Sequence, residues 1–231
     1  MTIASSYRLL VFDWDGTLAD SEQRIVEAAQ SAIETLNLPA RSHEQVRTII
    51  GLALGEACQA LFPDMAKGQE HRFIACYREY YLRNTADPIP LFPGAAGALR
   101  GFAEDRYQLA VATGKGRRGL DRDMANHELG PLFSTTRCAD DAPSKPHPKM
   151  LLDIMAELAV DSAETLMIGD TAYDMEMARN AGVARVAVSS GVHDRQRLLE
   201  FDPLALLDSV ADLPAWLSNH SDTGPQRDSY V

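Results

Sequence analysis

Hydrophobic and polar positions alternate along this chain in two different rhythms. The apolar run Leu9-Leu10-Val11-Phe12 is short and continuous, which predicts a strand over 7–13 buried on both faces. From Ser21 onward the rhythm changes. Ile25, Val26, Ala29, Ile33 and Leu36 recur at helical spacing, with Asn37 to Pro39 closing the segment. Further helical segments are expected at 42–50, 53–62 and 66–83, so the stretch 19–90 reads as helices with no strand among them. Past the Pro-rich turn around 87–94 a strand–helix alternation begins. It predicts strands at 107–113, 135–139, 165–169 and 184–189, with helices at 95–104, 117–129, 148–158, 172–181 and 194–200.

Such alternation specifies an α/β fold: a Rossmann-like parallel sheet core flanked by helices and joined by right-handed crossovers. The helical block falls directly after the first strand, which makes it an inserted all-helical cap domain. The expected division is a core of 1–18 and 92–217, a cap of 19–91 and a polar, aperiodic, disordered tail of 218–231.

Composition narrows the function classes. The 231 residues carry a formal charge of −11, which opposes binding to nucleic acid or an anionic membrane surface. No run approaches the length of a membrane span, and Met1–Arg8 lacks the pattern of a secretory signal. Three scattered cysteines, Cys58, Cys76 and Cys138, fit reduced thiols and a cytoplasmic protein. An anionic substrate therefore needs local cations and a metal.

Four polar clusters lie at predicted strand ends, where open parallel sheets bind ligands. Asp13-Trp14-Asp15-Gly16-Thr17 offers paired carboxylates, a turn-forming glycine and a hydroxyl, a combination suited to phosphoryl transfer beside a divalent cation. Thr113-Gly114-Lys115 offers a hydroxyl and backbone N–H groups to phosphate oxygens, although alone it reads equally as an ordinary strand-to-helix turn. Lys145, between Pro143 and Pro146, sits on a restricted backbone, although a lone lysine is more often a solvated charge. Asp170 ends a strand and Asp174 lies one helical turn later, so both carboxylates can present hard oxygen ligands to Mg2+. The order acid pair, Thr, Lys, acid pair is far more specific than any one cluster.

These residues resemble the signatures of the haloacid dehalogenase superfamily, in order, over about residues 7–190. Asp20-Ser21, Phe92-Pro93-Gly94 and Lys145-Pro146-x-Pro148 are similar to its phosphoglycolate phosphatase-like members with a small helical cap. The resemblance implies Asp13 as nucleophile, Asp15 as acid and base, Thr113 and Gly114 on the phosphate, and Lys145 as the neutralising cation. It implies Mg2+ on Asp13, the Asp15 carbonyl and Asp170, with Asp174 as a further ligand or an orienting group. The dehalogenases usually lack an acid at the Asp15 position, and Lys67 is the cap's one lysine, so a phosphatase is expected over carbon–halogen or phosphonate cleavage. Arg47 and Lys115 are candidate substrate contacts. The expected substrate is a small phosphorylated metabolite, with phosphoglycolate as the family-level guess. A sugar phosphomutase using the same aspartates, or a non-catalytic phosphate-binding protein, stays open, as does oligomeric state.

Overall fold

Leu9–Phe12 forms strand β1, and all four of its residues are buried. Alternate residues serve opposite layers: Leu10 and Phe12 join the larger core on one side of the sheet, Leu9 and Val11 the smaller one on the other. Strands β2 (Gln108–Ala112), β3 (Thr135–Arg137), β4 (Thr165–Gly169), β5 (Ala184–Val188) and β6 (Leu206–Leu207) complete a sheet ordered β3-β2-β1-β4-β5-β6. Every pairing is parallel, with Leu9 opposite Gln108 on one side and Thr165 on the other. The computed structural model describes residues 7–83 and 88–220. This is the α/β sheet the alternation predicts.

The direction in which successive strands are added across the sheet reverses between β1 and β4. In this strand order the crevice outside their carboxyl ends is where ligands bind, and Asp13 and Asp170 follow those two strands directly.

Four helices separate β1 from the rest of the core: α1 (Glu22–Thr35), α2 (His43–Arg47), α3 (Leu54–Leu61) and α4 (Lys67–Arg83). Helix α1 buries Ile25, Val26, Ala29 and Ile33, four of the five positions that predicted it, and packs along α4. Helix α2 is shorter than the expected 42–50. A Ser42–Gln45 capping box starts it, and the chain leaves it in a turn that reaches φ +99° at Gly51, a conformation suited to glycine. Lys67 is exposed at the start of α4.

Helices α5 (Ala95–Glu104) and α6 (Arg117–Asn126) bury Leu99, Phe102 and Leu120 in the larger core. Helices α7 (Lys149–Leu158) and α8 (Ala172–Asn180) bury Met150, Ile154 and Met177 in the smaller one. Helix α9 spans Arg195–Leu199. Strand β6 and the final helix α10 (Leu213–Asn219) were not anticipated. Two residues are too few to show period-two alternation. Helix α10 did leave a signal, with Pro214 in its first turn and Leu213 and Leu217 buried four apart. It also takes in Ser218 and Asn219, the first residues of the expected disordered tail, whereas 221–231 lie outside the described residues. Among the described residues no helix is long and apolar enough to cross a membrane.

Candidate active site

Asp13 continues β1 by one residue, its N–H donating to the Ile168 carbonyl of β4 at 2.9 Å. The chain then turns through Gly16 at φ +85°. A Cβ there would fall 2.3 Å from Asp170 Oδ2, and one at Gly191 would fall 2.0 Å from the same atom. The Asp170 carboxylate thus sits in a slot between two glycines. Thr17 Oγ1 donates to its Oδ1 at 2.7 Å and the Val192 N–H to its Oδ2 at 2.9 Å.

Carboxylate oxygens of Asp13, Asp170 and Asp174 lie within 4.8 Å of one another, all three residues fully buried. Lys145 Nζ reaches Asp13 Oδ1 at 2.9 Å and Asp174 Oδ1 at 2.6 Å. Asp174 Oδ2 accepts from the Thr171 hydroxyl at 2.6 Å and the Thr171 N–H at 3.0 Å, the capping box that starts α8. Both oxygens of Asp174 are therefore engaged, and the side chain is set to hold Lys145. On Asp13, Oδ1 also accepts the Trp14 N–H at 2.6 Å, while Oδ2 has no hydrogen-bond partner among the described residues.

That crowding has an electrostatic signature. Burial pushes the Asp13 carboxyl up to about 7 against the pull of Lys145, and the Asp174 and Asp15 carboxylates add to the rise. Asp170 is raised well above the carboxylate range by burial and by Asp13 and Asp174. Burial opposes the charge on Lys145, but Asp13 and Asp174 together hold its ammonium above the ordinary lysine range. Three buried carboxylates against one ammonium leave an excess of negative charge on hard oxygen donors, which fits a divalent cation such as Mg2+.

Asp15 faces elsewhere. Its carboxylate receives Lys115 Nζ at 2.8 and 3.1 Å. The same ammonium pairs with Asp123 of α6 at 3.1 Å and donates to the Tyr81 hydroxyl of α4 at 2.5 Å. Burial works against its charge, but Asp15, Tyr81 and Asp123 keep it well above the lysine range. Lys115 is thus committed to holding Asp15 and tying the helical insertion to the core. Asp123 and Tyr81 were not among the expected residues, because only the fold brings two helix positions from different segments onto one lysine.

Thr113 is buried, and its Oγ1 accepts the Lys115 N–H at 3.2 Å, leaving the hydroxyl hydrogen to donate. Gly114 lies under the insertion, where a Cβ would come 2.4 Å from the Gly51 carbonyl oxygen. Thr113, Gly114 and Asp15 border a cavity of about 650 Å3 between insertion and core. Arg47 is outside the lining of that cavity. Its guanidinium donates to Glu22 at 3.2 Å and to the Gly191 carbonyl at 3.3 Å, so it joins α1 to the loop beside Asp170.

Close by, His193 is a second link from core to insertion. Its Nδ1 accepts the Ala172 N–H at 2.9 Å, and Nε2 lies 3.4 Å from the Thr48 carbonyl. Burial, with Arg197 adding to it, lowers its pKa to about 4. Between pH 6.5 and 4 the unfolded chain then binds the proton the native state refuses, so stability falls as pH falls through that window. The cost is up to about 3 kcal/mol. Urea unfolding at pH 7.5 and pH 5 should show a smaller loss in His193→Asn than in the parent; equal losses would contradict this.

The profile of the haloacid dehalogenase-like hydrolases matches residues 10–188. A Dickeya dadantii protein named "Probable phosphatase IndB" is 32% identical over 211 residues, 89% of this chain and 91% of its own length. A phosphoglycolate phosphatase from Vibrio parahaemolyticus is 27% identical over 215 residues, 89% of this chain and 94% of its own. The crystal structure of a hydrolase from Pseudomonas syringae superposes with a TM-score of 0.84 at 25% identity, covering 92% of this chain and 98% of that one. With the profile spanning most of the sequence and a relative above 30% identity along nearly all of it, this chain belongs to the haloacid dehalogenase-like hydrolase family.

Proposed function

We propose that this chain is a magnesium-dependent phosphatase that hydrolyses a small soluble phosphomonoester through an aspartyl-phosphate on Asp13. The observation that carries the reading is the asymmetry of the Asp13 carboxylate. Lys145 and the Trp14 N–H hold Oδ1, while Oδ2 is buried and unpartnered. That leaves one oxygen as nucleophile and fixes the other as its anchor.

In the first step Asp13 Oδ2 bonds to phosphorus, the bond to the ester oxygen breaks, and Asp15 gives its proton to the leaving alkoxide. In the second, water attacks phosphorus while Asp15 takes its proton back, and the Asp13–phosphorus bond breaks to release phosphate. The Thr113 hydroxyl and the N–H groups following it would hold the phosphate oxygens. Lys145 offsets negative charge on Asp13 and the transferring group. Mg2+, when held by Asp13, Asp170 and the Asp15 carbonyl, would supply the remaining charge neutralisation. Asp174 holds Lys145 and the Thr171 hydroxyl, and its carboxylate stands beside Asp13 and Asp170 as a further ligand or an orienting group for the metal. Residues 19–91 serve as the cap over this site, and Gly114 beneath the Gly51 carbonyl supports that role. The described cysteines are all free, in keeping with a reducing cytoplasm.

Free phosphate release from a panel of phosphoglycolate, hexose phosphates, nucleotides and pyrophosphate, with and without Mg2+, tests the reading. Mg2+-dependent release is expected. Transfer of the phosphoryl group between sugar hydroxyls without free phosphate would instead identify a mutase, and neither activity would identify a binding protein.

A further inference from the structure

The cavity beside Asp15 is built for something other than a two-carbon acid. At about 650 Å3 it falls in the range of pockets that enclose drug-sized ligands. Its wall on the insertion side includes Ile49, Leu54, Leu61, Phe73 and Tyr77, with Arg78 as its one charged residue. Phe73, Tyr77 and Leu61 are otherwise buried. Tyr77 stacks on Tyr81 with ring centroids 5.7 Å apart, so the wall presents a fixed aromatic surface.

A glycolate carboxylate at this position would need a free cation within the cavity, and the two nominated cations are taken. Lys115 is saturated by Asp15, Asp123 and Tyr81, and Arg47 is outside the lining and bound to Glu22 and Gly191. Arg117 also lines the cavity but is held by Asp141 and Thr136. Arg78 and Arg118, the remaining cations of the lining, are exposed, so water screens the attraction either could offer a carboxylate. Desolvating a carboxylate against aliphatic side chains with no buried cation free to pair with it is costly, whereas an apolar group is stabilised by the same surroundings.

We infer that the cavity is a leaving-group site for a phosphomonoester with a bulky apolar, aryl-bearing body. The inference rests on the phosphatase reading for the end of the ligand that Thr113 and Gly114 hold. The body extends from that end past Asp15 into the space between α1, α3 and α4. Specificity then comes from the insertion, and the buried carboxylates and Lys145 are indifferent to what the phosphate is attached to.

The test uses ligands that differ in the body alone. 2-Phenylethyl phosphate and ethyl phosphate have similar leaving groups, so chemistry at phosphorus does not bias the comparison. Their non-hydrolysable counterparts, 2-phenylethylphosphonate and ethylphosphonate, report binding without turnover. In the presence of Mg2+, calorimetry should find the phenylethyl phosphonate about 50-fold tighter than the ethyl one. The ratio of kcat/KM for the two phosphates should move the same way, chiefly through KM. Ala57→Leu, which puts bulk into the cavity, should shrink both ratios at least about fivefold.

Equal affinity for the two phosphonates in the full-length parent protein would overturn the inference, as would phosphoglycolate outperforming 2-phenylethyl phosphate. A clear affinity difference with no phosphate released from any ester would support the cavity assignment while removing the phosphatase reading.

Discussion

Asp13→Asn is expected to lower phosphate release by at least about 10⁴-fold while leaving the fold intact. An amide is a poor nucleophile toward phosphorus, so the loss falls on the chemical step and appears in kcat. The side chain keeps its shape, so its oxygen can still accept from Lys145 and Trp14, and its nitrogen replaces the unpartnered Oδ2. Stability provides a second readout. Because burial raises Asp13 to about 7, the native state holds a proton that the unfolded chain has released between about pH 4 and 7. In metal-free buffer the Asp13 contribution to stability therefore declines as pH rises through that window. Asp13→Asn should lack this decline and be at least as stable as the parent at pH 8. Added Mg2+ should stabilise the parent more than the variant. A variant with near-normal turnover would remove Asp13 from the chemistry, and an equal Mg2+ response would remove it from the metal site.

Lys145→Ala is expected to be the most damaging single change to stability. Its ammonium is fully buried and bridges Asp13 and Asp174. Removing it leaves three carboxylates packed together with no internal cation. Breaking a buried pair from one side costs about 3–5 kcal/mol. Turnover should fall by roughly 10³-fold as well, because charge on the transferring phosphoryl group loses its fixed partner. Millimolar Mg2+ should recover part of the stability, since a divalent cation offsets the same carboxylates, but little of the activity. Urea unfolding with and without Mg2+ separates the two effects. A parent-like midpoint in metal-free buffer would show that the carboxylates do not depend on Lys145.

Much of this site was legible because its chemistry clusters at strand ends. Asp13, Thr113, Lys145, Asp170 and Asp174 each follow or flank a predicted strand, and a parallel sheet places such ends along one edge. The glycines were harder to interpret. Gly16 was expected to make a turn, but its closeness to Asp170, and the matching role of Gly191, arise from residues more than a hundred and fifty positions apart or in a loop after β5. The short β6 was missed because two residues carry no period, whereas α10 was missed despite its first-turn proline.

Lys115 and Arg47 show where reading along the chain stops. As cations near the expected cleft, both were natural candidates to meet an anionic substrate. In the fold each is committed to protein groups, Lys115 to Asp15, Asp123 and Tyr81, and Arg47 to Glu22 and the Gly191 carbonyl. Whether a side chain is free depends on which distant residues reach it first, and spacing along one segment carries no record of that.

The sequence by itself determined the α/β alternation, the helical insertion after β1 and the residues gathered at the strand ends, because periodicity and turn chemistry act over a few neighbouring residues. Only the tertiary structure decided which oxygen of Asp13 stays open, which cations are already spent, and how large and apolar the space beside Asp15 is. Those properties depend on packing between segments far apart in the chain, where burial and charge pairing are set jointly by every element that meets there.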